Sequence, residues 1–198
     1  MDWQKTAENM KKRGFTVRRY ATGAEAAEAL CEELKGQEIG MGGSMTAAQL
    51  GLPEKLEAAG CTVYARGRSW DRKDTDKGVT APVYISSANG VAETGELVNI
   101  DGTGNRVASM IFGPKNVALI IGKNKFAETM DECMDRIKTV ACARNAQRLG
   151  LSTPCAVAGR CVDCFSKERI CSVTTIIEAK PGAISEMHLI LVDEVLGY

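Results

Sequence analysis

Apolar and polar positions along the chain change period several times, and each change marks an element. Trp3 and Met10, separated by interleaved charges, predict an N-terminal helix ending near Gly14. Phe15-Thr16-Val17 reads as a first strand, and Ala24 to Leu34 as an alanine-rich helix. Ile39-Gly40-Met41 is a short strand running into Gly42-Gly43-Ser44, with Ser44 placed to cap a helix from Met45. Pro53 suits the first turn of a helix through Ala59, and Cys61 to Ala65 is a strand. Arg66 to Lys77, with eight charges in twelve positions, reads as a solvated loop, with a substrate lid as the sharper alternative. Val79 to Ser86, Leu97 to Ile100 and Val117 to Ile121 are apolar strands; Val107 to Gly113 is another apolar run, of buried-strand or short-helix length. From Phe126 to Leu149, apolar residues at Phe126, Met130, Cys133/Met134, Ile137 and Val140/Ala141 keep the helical period over several turns. Val173 to Glu178 and Met187 to Val192 are closing strands around the turn Lys180-Pro181-Gly182.

Strands alternating with helices predict an α/β fold, a mainly parallel sheet with helices on both faces. The expected organisation is a single domain over residues 1–198, with an N-terminal helical segment (about 1–35) and a Cys-rich loop (about 152–172). Composition sharpens this in two ways. Lysine plus arginine total 25 and aspartate plus glutamate total 25, so the formal charge is zero. That balance argues against general attraction to nucleic acid or anionic membrane, while leaving room for a local pocket for one small anion. The charged N-terminus carries no secretory h-region, and no apolar run reaches the ~18 residues of a membrane span. A cytoplasmic, reducing setting is therefore expected, in which the eight cysteines are read first as thiols or ligands.

Two glycine-rich segments are candidates for chemistry. Gly42-Gly43-Ser44-Met45-Thr46 follows a strand and opens a helix, where glycines admit an anion to the backbone and two hydroxyls can donate. It lacks the Gly-Lys-Ser/Thr of a P-loop, and Met45 stands where a dinucleotide site needs its third glycine. A plain tight turn explains it equally well. The second segment places Asn89, Glu93, Asn99, Asp101, Gly102, Thr103, Gly104, Asn105 and Arg106 on two polar stretches flanking one strand. Glu93 can act as base or nucleophile, Arg106 can grip a carboxylate or phosphate with two N–H groups, and the asparagines can orient either. The alternative is a pair of hairpin turns with ordinary Asn-Gly and Asp-Gly chemistry.

The run Asn99-Ile100-Asp101-Gly102-Thr103-Gly104-Asn105-Arg106-Val107, within Ile85 to Gly122, resembles the lactate-utilisation (LUD) domain family. So do Gly42 to Thr46, Asn145-Ala146-Gln147-Arg148-Leu149, Thr153-Pro154-Cys155, and Cys161-Val162-Asp163-Cys164 with Arg169-Ile170-Cys171. The resemblance implies a fold similar to sugar-phosphate isomerases, CoA transferases and folate-metabolising ligases. It also implies lactate or small organic acid metabolism beside iron–sulfur partner proteins. Kinship with CoA transferases implies Glu93 as a nucleophile, by analogy of fold.

Five of the eight cysteines lie between Cys142 and Cys171. Cys155, Cys161, Cys164 and Cys171 are candidate ligands of zinc or an iron–sulfur cluster, with Cys142 a competing fourth ligand. A redox pair at Cys161/Cys164, with Arg160 and Lys167 nearby, and four plain thiols are the alternatives. Cys31, Cys61 and Cys133 occupy apolar positions and are expected in the core. His188, the single histidine, lies in an apolar strand and is expected to be structural, which makes a Ser-His-Asp triad improbable.

Three functions remain open from the sequence. One is an enzyme or enzyme subunit, possible transferase-like chemistry included, acting on a small carboxylate, phosphate or CoA ester at the glycine-rich turns. The second is a non-catalytic accessory subunit whose cysteines hold an iron–sulfur centre or zinc. The third is a sensor that binds the same metabolite without turning it over. The sequence does not set the oligomeric state, although α/β proteins of this size often form homodimers.

Overall fold

The structure is a computed structural model describing residues 2–65 and 72–198. It begins with α1 (Trp3–Lys12), β1 (Thr16–Tyr20), α2 (Gly23–Glu33), β2 (Glu38–Met41), α3 (Met45–Gln49), α4 (Leu52–Ala58) and β3 (Thr62–Ala65). After the undescribed stretch come α5 (Arg72–Thr80), β4 (Val83–Ser86), β5 (Gly90–Ala92), β6 (Leu97–Asp101), α6 (Asn105–Ile111) and β7 (Asn116–Gly122). The remainder is β8 (Phe126–Ala127), α7 (Met130–Arg136), α8 (Cys142–Arg148), α9 (Pro154–Ala158), β9 (Val173–Ile177) and β10 (Glu186–Val192). Side-chain caps fix several starts. The Asp2 carboxylate accepts the N–H groups of Gln4 and Lys5, and Thr22 and Glu25 form a reciprocal capping box at α2.

Six strands form a fully parallel sheet in the order β1-β10-β7-β4-β2-β3. β7 shows why it is a buried middle strand. Val117, Leu119 and Ile121 pack on one face and Ala118 and Ile120 on the other, the two-residue period of a strand covered on both sides. The first face meets α1, α6 and a second sheet, through Met10, Met110, Val91 and Leu97. The opposite face meets α2 and α4, through Ala26, Ala27, Leu30, Leu52 and Leu56. The α/β class and the mainly parallel sheet flanked by helices are thus as the alternation of elements predicts.

Several expectations are corrected. The second sheet, ordered β8-β5-β6-β9, is mixed, and its short strands are absent from the sequence reading except at Leu97–Ile100 and Val173–Glu178. Leu97 faces the main core and Val98 an outer one with Cys133, Ile137 and Ala141, so this sheet is a middle layer. Val79 to Ser86 is not one strand, because Val79 and Thr80 end α5 and only Val83–Ser86 extends. The expected loop Arg66–Lys77 falls partly outside the described residues (66–71), and from Arg72 onward it is helical. There the exposed charged residues leave Gly78 on the opposite face, pressed against Gly40 of β2; a Cβ on Gly40 would overlap the Gly78 carbonyl oxygen. Val107 to Gly113 resolves as helix, since α6 runs to Ile111.

The helix expected over Phe126–Leu149 starts later. Phe126 and Ala127 pair with β5, and Thr129 and Glu132 make a capping box that starts α7 at Met130. A π-helical turn, Ile137–Ala141, then joins α7 to α8. Such wide turns rotate the following side chains and recur beside functional sites. The Cys-rich stretch contains α9 but has no buried residue from Pro154 to Ser172. Among the described residues no helix is long and apolar enough to cross a membrane.

Candidate functional site

The connections set the location. β2 leads to β3 on one side of the sheet, whereas its neighbour β4 leads to β7 on the other. Where adjacent parallel strands depart in opposite directions, a crevice opens beyond their carboxyl ends. A cavity of about 590 Å³ occupies this place. Its walls are Met41 to Met45 after β2, Ser87, Ala88 and Asn89 after β4, and Ile100 to Thr103 after β6. Ile137 and Ala141 of the π-helical turn, Cys142, Asn145 and Arg148 of α8, Ile170, and Tyr198 at the chain end also line it.

The two glycine-rich turns therefore meet in space. Gly42, Gly43, Ser44, Asn89, Asp101, Gly102, Thr103 and Arg106 line the cavity. Thr46 lies buried just behind the wall, while Asn99, Gly104 and Asn105 are not part of the lining. Gly42 has a specific reason to be glycine, because a Cβ would come within 2.7 Å of the Tyr84 hydroxyl and 3.3 Å of Arg106 Cγ. The helix that Met45 opens adds little dipole, since α3 has only five residues.

Arg106 has another role than an open anion clamp. Its Nε donates to Asp101 Oδ2 at 3.2 Å, and Nη1 to Asn99 Oδ1 at 3.0 Å and the Ser87 carbonyl at 3.4 Å. Nη2 donates to Asn89 Oδ1 at 2.9 Å and the Ile100 carbonyl at 2.6 Å. A guanidinium has five N–H donors, and here protein acceptors engage all of them. Asp101 Oδ1 meanwhile accepts the N–H groups of Thr103 and Gly104, both at 3.1 Å. The Asp-Gly-Thr-Gly-Asn-Arg run is thus a self-satisfied lock joining the end of β4 to β6 and α6.

Glu93 stands apart. Its carboxylate accepts from Lys5 Nζ at 2.5 Å and from the Asp2 N–H at 3.3 Å, and it does not line the cavity. The Lys5 hydrogen bond and then the Asp2 N–H hold it below the usual glutamate range. The hairpin β5–β6 turns at Glu93–Glu96 and carries this side chain to α1, so the residue anchors the N-terminal helix.

The residue that sequence reasoning missed is Lys125. It ends a short 3-10 turn, Lys123–Lys125, after β7, and this turn is tied to the C-terminal segment. The Lys123 N–H reaches the Glu194 carbonyl at 2.9 Å, and Asn124 Oδ1 accepts the Leu196 N–H at 3.0 Å. Lys123 is consequently exposed and Lys125 only 4% exposed. Lys125 Nζ donates to Ser87 Oγ at 2.9 Å, Thr46 Oγ1 at 3.1 Å and the Ala88 carbonyl at 3.1 Å. Among the described residues it has no carboxylate partner, although lysine is almost never buried unpaired. Burial, and then the positive charges of Arg136 and Arg106, push its amine down to about 7. Nothing in Gly122-Lys123-Asn124-Lys125 marks the second lysine out; only the fold beneath it does.

The cavity is thus biased toward positive charge. Lys125, Arg106 and Arg148 line it, and Arg136 donates to the Asn89 carbonyl at 2.9 Å just behind. Asp101 neutralises Arg106, and Glu54 lines the cavity as a second carboxylate. The Arg148 guanidinium is held by neutral Asn145 Oδ1, at 2.8 and 3.1 Å.

Of the cysteines, Cys142 lines the cavity. Its thiol is pushed up to about 12 by burial and then by the neighbouring sulfurs of Cys171, Cys161 and Cys155. Cys155 comes from α9, Cys161 from the loop after it and Cys171 from the approach to β9. The Asp163 N–H points to Cys161 Sγ at 3.4 Å, and Thr153 Oγ1 lies 3.2 Å from Cys155 Sγ. Among the described residues, however, no three His, Cys, Asp or Glu side chains are arranged to hold a metal ion. Cys155, Cys161, Cys164 and Cys171, the expected ligand set, are among the side chains to which this applies. Cys61 and Cys133 are buried as expected, and Cys31 is half-buried against the core. His188 sits on β10 with Nε2 3.1 Å from Glu186 Oε2, away from the cavity.

A solved structure similar to this chain is a DUF162 family protein from Deinococcus radiodurans. It is 13% identical, with a TM-score of 0.49, over 96% of this chain and 94% of that one. No curated protein matches the chain. The LUD domain model matches residues 3–192, nearly the whole length, and the chain belongs to the LUD domain family.

Proposed function

We propose that this LUD-domain chain binds a small anionic metabolite, a carboxylate or phosphate of organic acid metabolism, in the cavity beyond β2 and β4. The observation that carries the reading is Lys125, a buried amine with three neutral acceptors and no carboxylate partner among the described residues. An anion entering the cavity supplies the missing counter-charge in a low-dielectric setting, where the pairing is strongest. The volume suits a compact metabolite, within the range of small-molecule sites. Arg148 and the hydroxyls of Ser44 and Thr103 are the further donors on the walls. Arg106 contributes shape and positive potential rather than a grip. Transferase-like chemistry through Glu93 has no support from this geometry, because that carboxylate faces α1.

Titration calorimetry with acetate, a short dicarboxylate and inorganic phosphate tests the reading. Saturable binding of one of them, weakened about tenfold or more in Lys125→Met, is the expected result, equivalent to at least about 1.4 kcal/mol. Equal affinity in wild type and a folded Lys125→Met variant would remove Lys125 from the site.

A further inference from the structure

Lys125 has more than a charge to offer. Its Nζ stands among two hydroxyls and one carbonyl, all neutral, at a cavity wall. An ammonium can use all three as acceptors. A free amine can donate to two of them and accept from a hydroxyl of Thr46 or Ser87, so the shell accommodates both protonation states. Salt-bridged surface lysines such as Lys5, paired with Glu93, have no such freedom. Arg106 is locked by Asp101, and Arg136 is partly buried beside the Asn89 carbonyl, so both add positive potential without offering Nζ a base to pair with.

We infer that Lys125 is a nucleophilic amine that forms an imine with a small oxo acid, a carbonyl compound that also carries an acidic group. The inference rests on the anion site proposed above and names its substrate class. A carbonyl is what a desolvated amine can attack, and the acid group is what Arg148, held only by neutral Asn145, and the iminium's own charge can hold.

The Nζ lone pair forms a bond to the carbonyl carbon, and the C=O π pair moves to oxygen. The added nitrogen loses one proton and the oxygen gains one, giving a carbinolamine. Its C–O bond then breaks, with a proton delivered to the departing hydroxyl through the Ser87 or Thr46 hydroxyl. Water leaves and a protonated C=N remains on Lys125. Overall, amine, carbonyl and one proton give iminium and water, with no oxidant or reductant. The iminium keeps the single positive charge that the bound acid group balances.

Burial that lowers the amine to about 7 supports the chemistry. Near pH 7.5 roughly three-quarters of Lys125 is then neutral, against about one part in a thousand for an exposed lysine.

The test treats the full chain with pyruvate or glyoxylate in the presence of cyanoborohydride, which donates hydride to an iminium and fixes it as a stable secondary amine. Intact mass and peptide mapping locate the product, and calorimetry with acetate, which has no carbonyl, runs beside it. Expected are one reduced adduct per chain at Lys125, labelled at least about tenfold faster than any other lysine, competition by acetate, and no specific adduct in Lys125→Arg. Labelling spread over surface lysines, or equal in Lys125→Arg, overturns the imine. Acetate binding without any adduct overturns the imine while leaving the anion site standing. Neither binding nor adduct removes both. Should Lys125→Arg fail to fold, the peptide map of the wild type decides alone.

Discussion

Replacing Lys125 by methionine gives the sharpest energetic test. The amine lies near pH 7 in the folded chain and near 10.5 when exposed in the unfolded one. Between these values the unfolded state binds more protons than the folded state, so stability rises with pH. The slope approaches about 1.4 kcal/mol per pH unit, and across roughly 3.5 units the total is about 5 kcal/mol as an upper bound. Below about pH 7 both states are protonated and the folded state carries the full penalty of a buried charge. Methionine fills similar volume and does not titrate, but it leaves Ser87, Thr46 and the Ala88 carbonyl without their donor, a constant loss of about 1–3 kcal/mol. The diagnostic quantity is therefore the slope. Urea unfolding of both proteins at about pH 6.5, 8 and 9.5 should show the wild type gaining on Lys125→Met by roughly 2 kcal/mol over the last 1.5 units. Cysteine titration is common to both proteins and cancels. Parallel stability curves would refute the buried, carboxylate-free lysine.

Other outcomes follow from the same geometry. Arg106→Ala leaves Asp101 buried without its ion pair and opens the lock between β4 and β6, so denaturant unfolding should show a loss of about 3–5 kcal/mol. A loss of ligand affinity with unchanged stability would instead make Arg106 a clamp. Glu93→Gln should leave ligand affinity in calorimetry unchanged, since it alters only the contact with Lys5 and Asp2. In native thiol labelling, Cys133 and Cys142, pushed up to about 11 and about 12 by burial, should react last. Gly40→Ala forces α5 away from β2, and thermal melting should show a loss of several degrees.

The middle of the main sheet was legible because β7 and β10 are long apolar runs covered on both faces. Val117–Ile121 and Met187–Val192 are hydrophobic at both phases of the two-residue period. The second sheet was not, because Gly90–Ala92 and Phe126–Ala127 are too short to establish a period. The breakpoint before α7 lies in the pair Thr129 and Glu132, a capping box that falls inside the apolar spacing starting at Phe126. At the site, polar density in Asn89–Arg106 indicated where chain segments converge, yet it could not separate ligands from scaffold. Arg106 shows the reason. Which acceptors a guanidinium meets depends on residues 5 to 19 positions away, and the fold satisfied all its donors internally. Lys125 lies at the other extreme, a residue whose meaning comes wholly from a tertiary tie between its turn and the C-terminal segment.

Proton uptake on ligand binding tests the central claim most directly. Calorimetry of acetate or phosphate binding near pH 8, repeated in buffers of different ionisation enthalpy, counts protons taken up as Lys125 becomes charged against the anion. An amine that is mostly neutral before binding and ammonium afterwards takes up about one proton per site. Uptake near that value, abolished in Lys125→Met, is the predicted result. Binding with no proton exchange, or with the same exchange in the variant, would contradict the account.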